Sequence, residues 1–414
     1  MYRLQTYAFH LSLAFLILTG SYTFAQEGTN YQDKEKALQT RLIMAQDGDV
    51  IEIEEGFYQF KGSLSMDGKK NITIKGQGMD KTILSFKGQI TGAEGLKITG
   101  GENITLRDFT VQDAKGDCIK TQNIDGISFI NIKAEWTNKP NKNNGAYALY
   151  PVSCNNVLMD SCVAIGSSDA GVYVGQSKNI IVRNCVAYHN VAGIEIENSI
   201  NADVYNNHAY NNTGGILVFD LPDLPQKHGR NIRVFDNLIE ENNYKNFSPK
   251  GNIVNKVPPG TGVMIMATEN VEVFHNKIHN NRTASVVIVS YHITEEEIKD
   301  QEYNAYPKKI YVHHNDFIRP NRSARKISPF GWLFYFKFGR KVPHIIYDGI
   351  PEKNSVDENG RLKASHQICI SNNKNGTFAN LDAANKFKGL SRDTSLFTCE
   401  LKSLSPAKVA NVND

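Results

Sequence analysis

Past residue 25 the 414-residue sequence contains no apolar run long enough to cross a bilayer. Nor has it charge to spare. Against 46 Lys and Arg stand 43 Asp and Glu, and a net +3 in so long a chain gives no electrostatic case for nucleic acid or membrane as partner. The one apolar run lies at the start, in MYRLQTYAFHLSLAFLILTGSYTFAQEG. Arg3 precedes Leu11–Leu18, and Thr23 and Ala25 occupy the small-residue positions of a cleavage site. The run is shorter than the ~20 residues of a spanning helix, so it reads as a secretory signal cut after Ala25. The expected location is secreted or periplasmic, with no membrane insertion after signal cleavage and with disulfides permitted.

What is abundant is repetition. Asn103, Gly126, Asn156, Asn179, Asn201, Asn231, Asn270 and Lys309 each precede a similar alternation, from NITLRDFTV through NIIVRNCVA to KIYVHHNDF. The shortest intervals are 23 residues (Asn156 to Asn179) and 22 (Asn179 to Asn201). Strand side chains alternate faces, so the first and third residues after each anchor share one face. They are nearly all apolar, as in Ile180/Val182, Ile232/Val234 and Val271/Val273. A second alternation, in AGVYVGQS, AGIEIENS, TGGILVFD and TGVMIMAT, precedes the anchors, and a third short apolar pair ends each repeat, as in Cys185/Ala187. Three short strands in about 22 residues make one coil of a parallel β-helix, with coils stacked at the ~4.8 Å strand spacing. Asn at fixed offsets, such as Asn190, Asn212, Asn242 and Asn281, suits ladders at the corners of such coils.

The ends of a solenoid need cover. Ala37, Leu38, Leu42, Ile43 and Ala45 suit an amphipathic helix that stops at Gly48, an N-terminal cap. Beyond residue 320 the periodicity fades. The expected organisation is a signal peptide over 1–25, a capped β-helix over 26–320, and an irregular C-terminal elaboration over 321–414 packed on the last coils.

The coil pattern resembles the right-handed parallel β-helices of the pectate-lyase-like superfamily. SDAGVYVGQS, NVAGIEIENS, NTGGILVFDLP and VPPGTGVMIMA resemble more closely a family of exported bacterial parallel β-helix repeat proteins, over roughly residues 36–400. The resemblance implies an all-β, right-handed parallel β-helix, and a carbohydrate-related extracellular role by fold analogy only.

Extra residues within 72–94, 135–147 and 243–260 enter just before the second strand of a coil, and 221–230 and 291–308 leave just after it. They should rim that strand's outer face as a groove. One outward column of that face reads Lys97, Lys120, Tyr150, Tyr173, Glu195, Leu217, Met264; the next reads Thr99, Gln122, Val152, Gly175, Glu197, Phe219, Met266. Aromatic platforms and charged groups in such rows suit a sugar chain, and a plain solvated sheet face is the bland alternative. For catalysis the candidates are Lys120, Tyr150, Tyr173 and Glu195; for substrate binding they are Lys97, Asp117, Gln122, Asp169, Glu197 and Phe219. Proton abstraction beside a uronate carboxylate, as in a lyase or epimerase, needs a base, a proton donor and a cation. Hydrolysis needs paired carboxylates. GDCIK at 116–120 resembles a polygalacturonase segment, but the adjacent aspartate pair and the Gly-His-Gly motif of that family are missing.

Five residues after the anchors a further outward column ends in Asp236, His275 and His314, a possible divalent-metal site, with His313 expected to point inward. Such a site would favour an alternative: a non-catalytic periplasmic accessory protein, resembling the β-helical maturation factor for the copper site of nitrous oxide reductase. Of six cysteines, Cys162 and Cys185 share an inward slot but are held about one strand spacing apart, and Cys118 and Cys154 lie on different walls, so all four should be single thiols. Cys369 and Cys399 are expected to pair. The leading expectation is an exported protein that binds or modifies an acidic polysaccharide, lyase- or epimerase-like if it is an enzyme.

Overall fold

The computed structural model describes residues 31–410; the expected signal peptide, 1–25, lies outside the described residues. Three walls of parallel strands wind around one apolar core. The front wall includes Tyr147–Val152, Ala170–Gly175, Ala192–Glu197, Gly214–Phe219, Thr261–Met266 and Ala284–Val289. The anchor wall includes Asn155–Asp160, Lys178–Arg183, Ile200–Tyr205, Arg230–Phe235, Glu269–Phe274 and Lys308–His313. A narrow third wall, including Val163–Ile165, Val186–Tyr188, His208–Tyr210 and Leu238–Glu240, closes the coil. Alternation fixes the register. Val172, Ile194, Ile216, Val263 and Val286 stack in one inward column, and Ile180, Ala202, Ile232, Val271 and Ile310 in another, all buried.

Corners explain the polar repeats. The anchors Asn103, Asn156, Asn179, Asn201, Asn231, Asn270 and Lys309 adopt left-handed backbone with φ between 51° and 60°. Asn enters that region at least cost among residues with a side chain. Two Asn columns then run along the helix axis. Asn190, Asn212, Asn242 and Asn281 are joined amide to amide at 3.2, 2.9 and 3.2 Å. Asn207, Asn237, Asn276, Asn315 and Asn373 are joined at 3.0, 2.9, 2.9 and 3.0 Å. Each internal amide also donates to a backbone carbonyl, as Asn237 does to Val204, so these buried groups are satisfied.

At the N-terminal end, helix α1 (Tyr31–Met44) covers the first coil with Leu38 and Leu42, joined by Ala45 just after the helix, while Ala37 and Ile43 are exposed and take no part. Gln39 occupies the place of a strand neighbour: it accepts from the Ser65 amide and donates to the Ser65 carbonyl, both at 2.8 Å. An edge strand is thereby blocked. At the other end, the coils run on past residue 320. Ile345–Tyr347 pairs with Ala284–Val289, Phe378–Asn380 pairs with Ile345–Tyr347, and Ile368–Ser371 pairs with Lys308–His313. Helix α2 (Pro329–Phe338) is capped by Ser328, whose hydroxyl accepts from the Gly331 amide at 3.1 Å, and starts with proline in its first turn. Cys369 and Cys399 form a disulfide; Cys118, Cys154, Cys162 and Cys185 are free and buried. Beyond Cys399 the chain returns along the anchor wall as a strap. The Leu404 amide donates to Glu272 at 2.8 Å, Val409 packs on Leu158 and Ile181, and the Ala410 amide donates to Asn156 at 3.2 Å.

Candidate functional site

The front wall carries its outward residues in the expected columns. Lys97 stands beside Lys120, Lys120 beside Tyr150, Tyr173 beside Glu195, Glu195 beside Leu217 and Leu217 beside Met264. The face is not an open groove along its length, however. Val254 and Val257 from the 243–260 insertion, Tyr291 and Ala305 from 291–308, and Phe334 and Phe338 of α2 close over its C-terminal half. Phe219, expected to touch substrate, is buried in that second apolar cluster beside Leu217, Met264 and Met266. It is roof packing, because burial of so much apolar surface is worth more than exposure of an aromatic platform.

The N-terminal half stays accessible. Lys97, Asp117, Lys120, Gln122, Tyr147 and Tyr150 are partly exposed there. Tyr147, Tyr150 and Tyr173 form an aromatic cluster with ring centroids 4.4–5.0 Å apart, and the Lys120 ammonium lies 4.8 Å from the centre of the Tyr150 ring. Lys97 faces Glu94 at 3.7 Å. Under this surface lie carboxyl groups. Tyr173 donates to Glu197 Oε1 at 2.7 Å, Asn252 Nδ2 donates to Asp169 Oδ2 at 3.1 Å, and the Tyr147 amide donates to Asp117 Oδ1 at 3.1 Å. Glu195 is 1% exposed and neither of its oxygens has a partner among the described residues. Gly175 makes room for this arrangement: a Cβ there would collide with the Tyr173 ring and hydroxyl.

Burial governs the protonation of the cluster. It pushes Asp169 up to about 8, helped by the charge of Glu197, and pushes Glu197 up to about 7 against the opposing hydrogen bond from Tyr173. Burial, then the charges of Asp169 and Glu197, hold Glu195 well above the usual carboxylate range. Asp117 rises to about 6 through burial, restrained by the Tyr147 amide, and burial followed by the Asp117 charge lifts Tyr150 to about 12. Near neutral pH this is a store of exchangeable protons beneath an aromatic, cationic surface. Tyr173 and Glu195 do not reach that surface, so any part they take is to position Tyr150, Asp169 and Glu197.

Sequence reasoning missed Tyr147 and Asn252. Tyr147 closes the 135–147 insertion as the first residue of the front-wall strand Tyr147–Val152, three residues before Tyr150. Asn252 reaches Asp169 across 83 residues of sequence, and no local pattern signals it.

The acid-histidine column does not converge on a metal site. Asp236 and His275 approach to 4.0 Å and the rings of His275 and His314 meet edge to face with centroids 5.7 Å apart, yet no group of three His, Cys, Asp or Glu among the described residues could hold a metal ion. The column is a second left-handed bend. Asp108, Asn131, Ser161, Asn184, Asn206, Asp236, His275 and His314 all have φ between 53° and 62°. Asp, Asn and His are the residues enriched in that conformation, so backbone geometry accounts for the pattern. His313 points outward instead of inward. It stacks on Phe274, 5.3 Å away, and its Nε2 lies 3.1 Å from Glu272 Oε1.

Residues 125–294 match the family model of the right handed beta helix region. The A-module of the Azotobacter vinelandii mannuronan C-5 epimerase AlgE4 superposes with a TM-score of 0.52 at 15% identity, covering 80% of this chain and 87% of the module, a likeness of fold. The capsule K1-specific depolymerase of Klebsiella phage K64-1 is 30% identical over 114 residues. That alignment covers 23% of this chain and 12% of the phage protein, so the chain spans a small fraction of that relative. The chain is therefore a right-handed parallel β-helix, similar over residues 125–294 to the right-handed β-helix family.

Proposed function

We propose that this protein is exported and binds or modifies an acidic extracellular polysaccharide on the open half of the front wall. The observation that carries the reading is the Tyr147–Tyr150–Tyr173 cluster with Lys120 against it, set over carboxyl groups that titrate near neutrality. The rings of Tyr147 and Tyr150 offer platforms for sugar rings, Lys97 and Lys120 offer cations to uronate carboxylates, and Gln122 offers a donor and an acceptor to hydroxyls. The names of a mannuronan epimerase and a capsule depolymerase among similar proteins support a polysaccharide as partner.

If the site turns substrate over, its groups suit proton abstraction beside a carboxylate. Asp117, the most accessible of the four carboxyls, takes the proton; Lys120 neutralises the charge that develops on the substrate carboxylate. Tyr150, kept protonated by its raised pKa, then delivers a proton to the opposite face of the carbon in an epimerase, or to the departing glycosidic oxygen in a lyase. Hydrolysis needs two accessible carboxylates flanking a bond. Here Asp169, Glu195 and Glu197 are buried.

The test is a screen of purified protein against uronate-containing and neutral polysaccharides, reading retention in affinity gels, ultraviolet absorbance of unsaturated products and NMR signals of inverted residues. Retention by uronate polymers over neutral ones is expected. Retention by neutral glucans alone, or by none, would overturn the proposal.

A further inference from the structure

Helix α2 is apolar on both sides. Its inner face, Phe330, Phe334 and Phe338, packs onto the second apolar cluster over the front wall. Its outer face presents Trp332, Tyr335 and Phe336, at i, i+3 and i+4, and they are 45%, 36% and 76% exposed. Ile327, just before the helix, is also exposed. A helix hydrophobic all round belongs in an apolar environment on both sides, yet water meets this one on the outside.

Its flanks are basic. Residues 321–347 contain Arg322, Arg325, Lys326, Lys337, Arg340 and Lys341 and no Asp or Glu. Lys326 Nζ lies 4.3 Å from the ring centre of Tyr335 and 5.5 Å from that of Trp332, so a cation sits at the edge of the aromatic ridge. Under α2 is a cavity of about 410 Å³ lined by Met264, Met266, Val287, Ile293, Phe330 and Phe334 among others.

From this arrangement we infer that α2 and its basic flanks form an in-plane docking surface for an anionic phospholipid bilayer. A short helix with Trp and Phe outward and cations around them is the pattern of interfacial helices, which lie in the headgroup region without spanning it. Complementary charge commits the surface to anionic lipid, each cation near such a surface adding to the attraction. Shape and chemistry favour lipid over a sugar chain. The ridge is convex, Phe336 and Ile327 have no polar atom to meet a hydroxyl, and the cavity beneath the helix is lined mainly by apolar side chains. Because α2 roofs the C-terminal half of the front wall, docking would set the open half alongside the membrane.

The sequence contains two tryptophans, Trp136, which is buried, and Trp332, so emission changes report on the patch itself and not on the N-terminal apolar run. The experiment mixes the purified protein with phosphatidylcholine vesicles with and without phosphatidylglycerol, and follows flotation, Trp emission and quenching by brominated acyl chains. Flotation with anionic vesicles, a blue shift, quenching and weakening by salt are expected. Phe336→Glu should lower partitioning about tenfold or more, while Phe336→Leu should retain it. Phe336 is exposed, so neither change disturbs the packed face of α2. An unchanged emission with no flotation, or flotation unaffected by Phe336→Glu, would overturn the inference. Loss of acidic-polysaccharide retention in Phe336→Glu, with vesicles inert, would assign the patch to polysaccharide instead.

Discussion

Glu195 occupies a position that packing alone would fill differently. Its column continues into Leu217 and Met264, yet its carboxyl is buried without a hydrogen-bond partner among the described residues and close enough to Asp169 and Glu197 to feel their charge. A buried ionisable group in that state destabilises the fold. Glu195→Leu should therefore stabilise the protein by about 1–3 kcal/mol at alkaline pH, measured by denaturant unfolding. It should also ease the ionisation of Tyr147 and Tyr173, which the Glu195 charge helps to hold protonated. A loss of stability would show instead that Glu195 has a structural partner. The same cluster sets a pH dependence. The folded-state values of about 6 for Asp117, 7 for Glu197 and 8 for Asp169 lie above those of free carboxyls. The folded state thus holds these protons more tightly than the unfolded chain. Their contribution is fully present below about pH 4 and is lost as pH rises through about 6 to 8. Thermal melts should show a lower Tm near pH 9 than near pH 5, and a Tm that rises over this window would contradict the burial of these groups.

At the scale of elements, the Asn columns and the strap hold the coils in register. Asn237 accepts from the Asn207 amide and side chain and donates to Val204 and Asn276, so Asn237→Ala strands several buried groups at once. Unfolding should show a loss of about 3 kcal/mol or more. The Cys369–Cys399 bridge closes a segment with a sequence separation of 30 and anchors the root of the strap. Cys399→Ser should cost about 3–4 kcal/mol, and limited proteolysis should then cut first within residues 400–410. Sequence showed the coils because alternation and left-handed corners are local: each anchor residue carries its own preference for the bend. The same local preference misled the reading of Asp236, His275 and His314, where residues chosen for a backbone angle imitate metal ligands. The roof was not legible. Val254, Tyr291 and Phe334 come from three separate segments and meet only in space, and so the sequence pattern predicts a groove open along its length.

For the whole molecule, a near-neutral net charge conceals a division of labour along one face. The N-terminal half of the front wall gathers tyrosines, lysines and proton-holding carboxyls, while the C-terminal half is roofed by an aromatic helix with cations on either side. The strands that carry both halves are the same rigid ladder, which fixes the tyrosine ring centroids within 5.0 Å of one another. Central to the functional reading is that the open half of this wall, and no other column, meets the polysaccharide. Affinity gels with the uronate polymer retained best by the unaltered protein test it most directly, comparing Lys120→Ala and Tyr150→Ala with His275→Ala and His314→Ala. Retention should fall about tenfold or more in the first pair and stay unchanged in the second. Equal retention in all four variants, or loss only in the histidine variants, would contradict it.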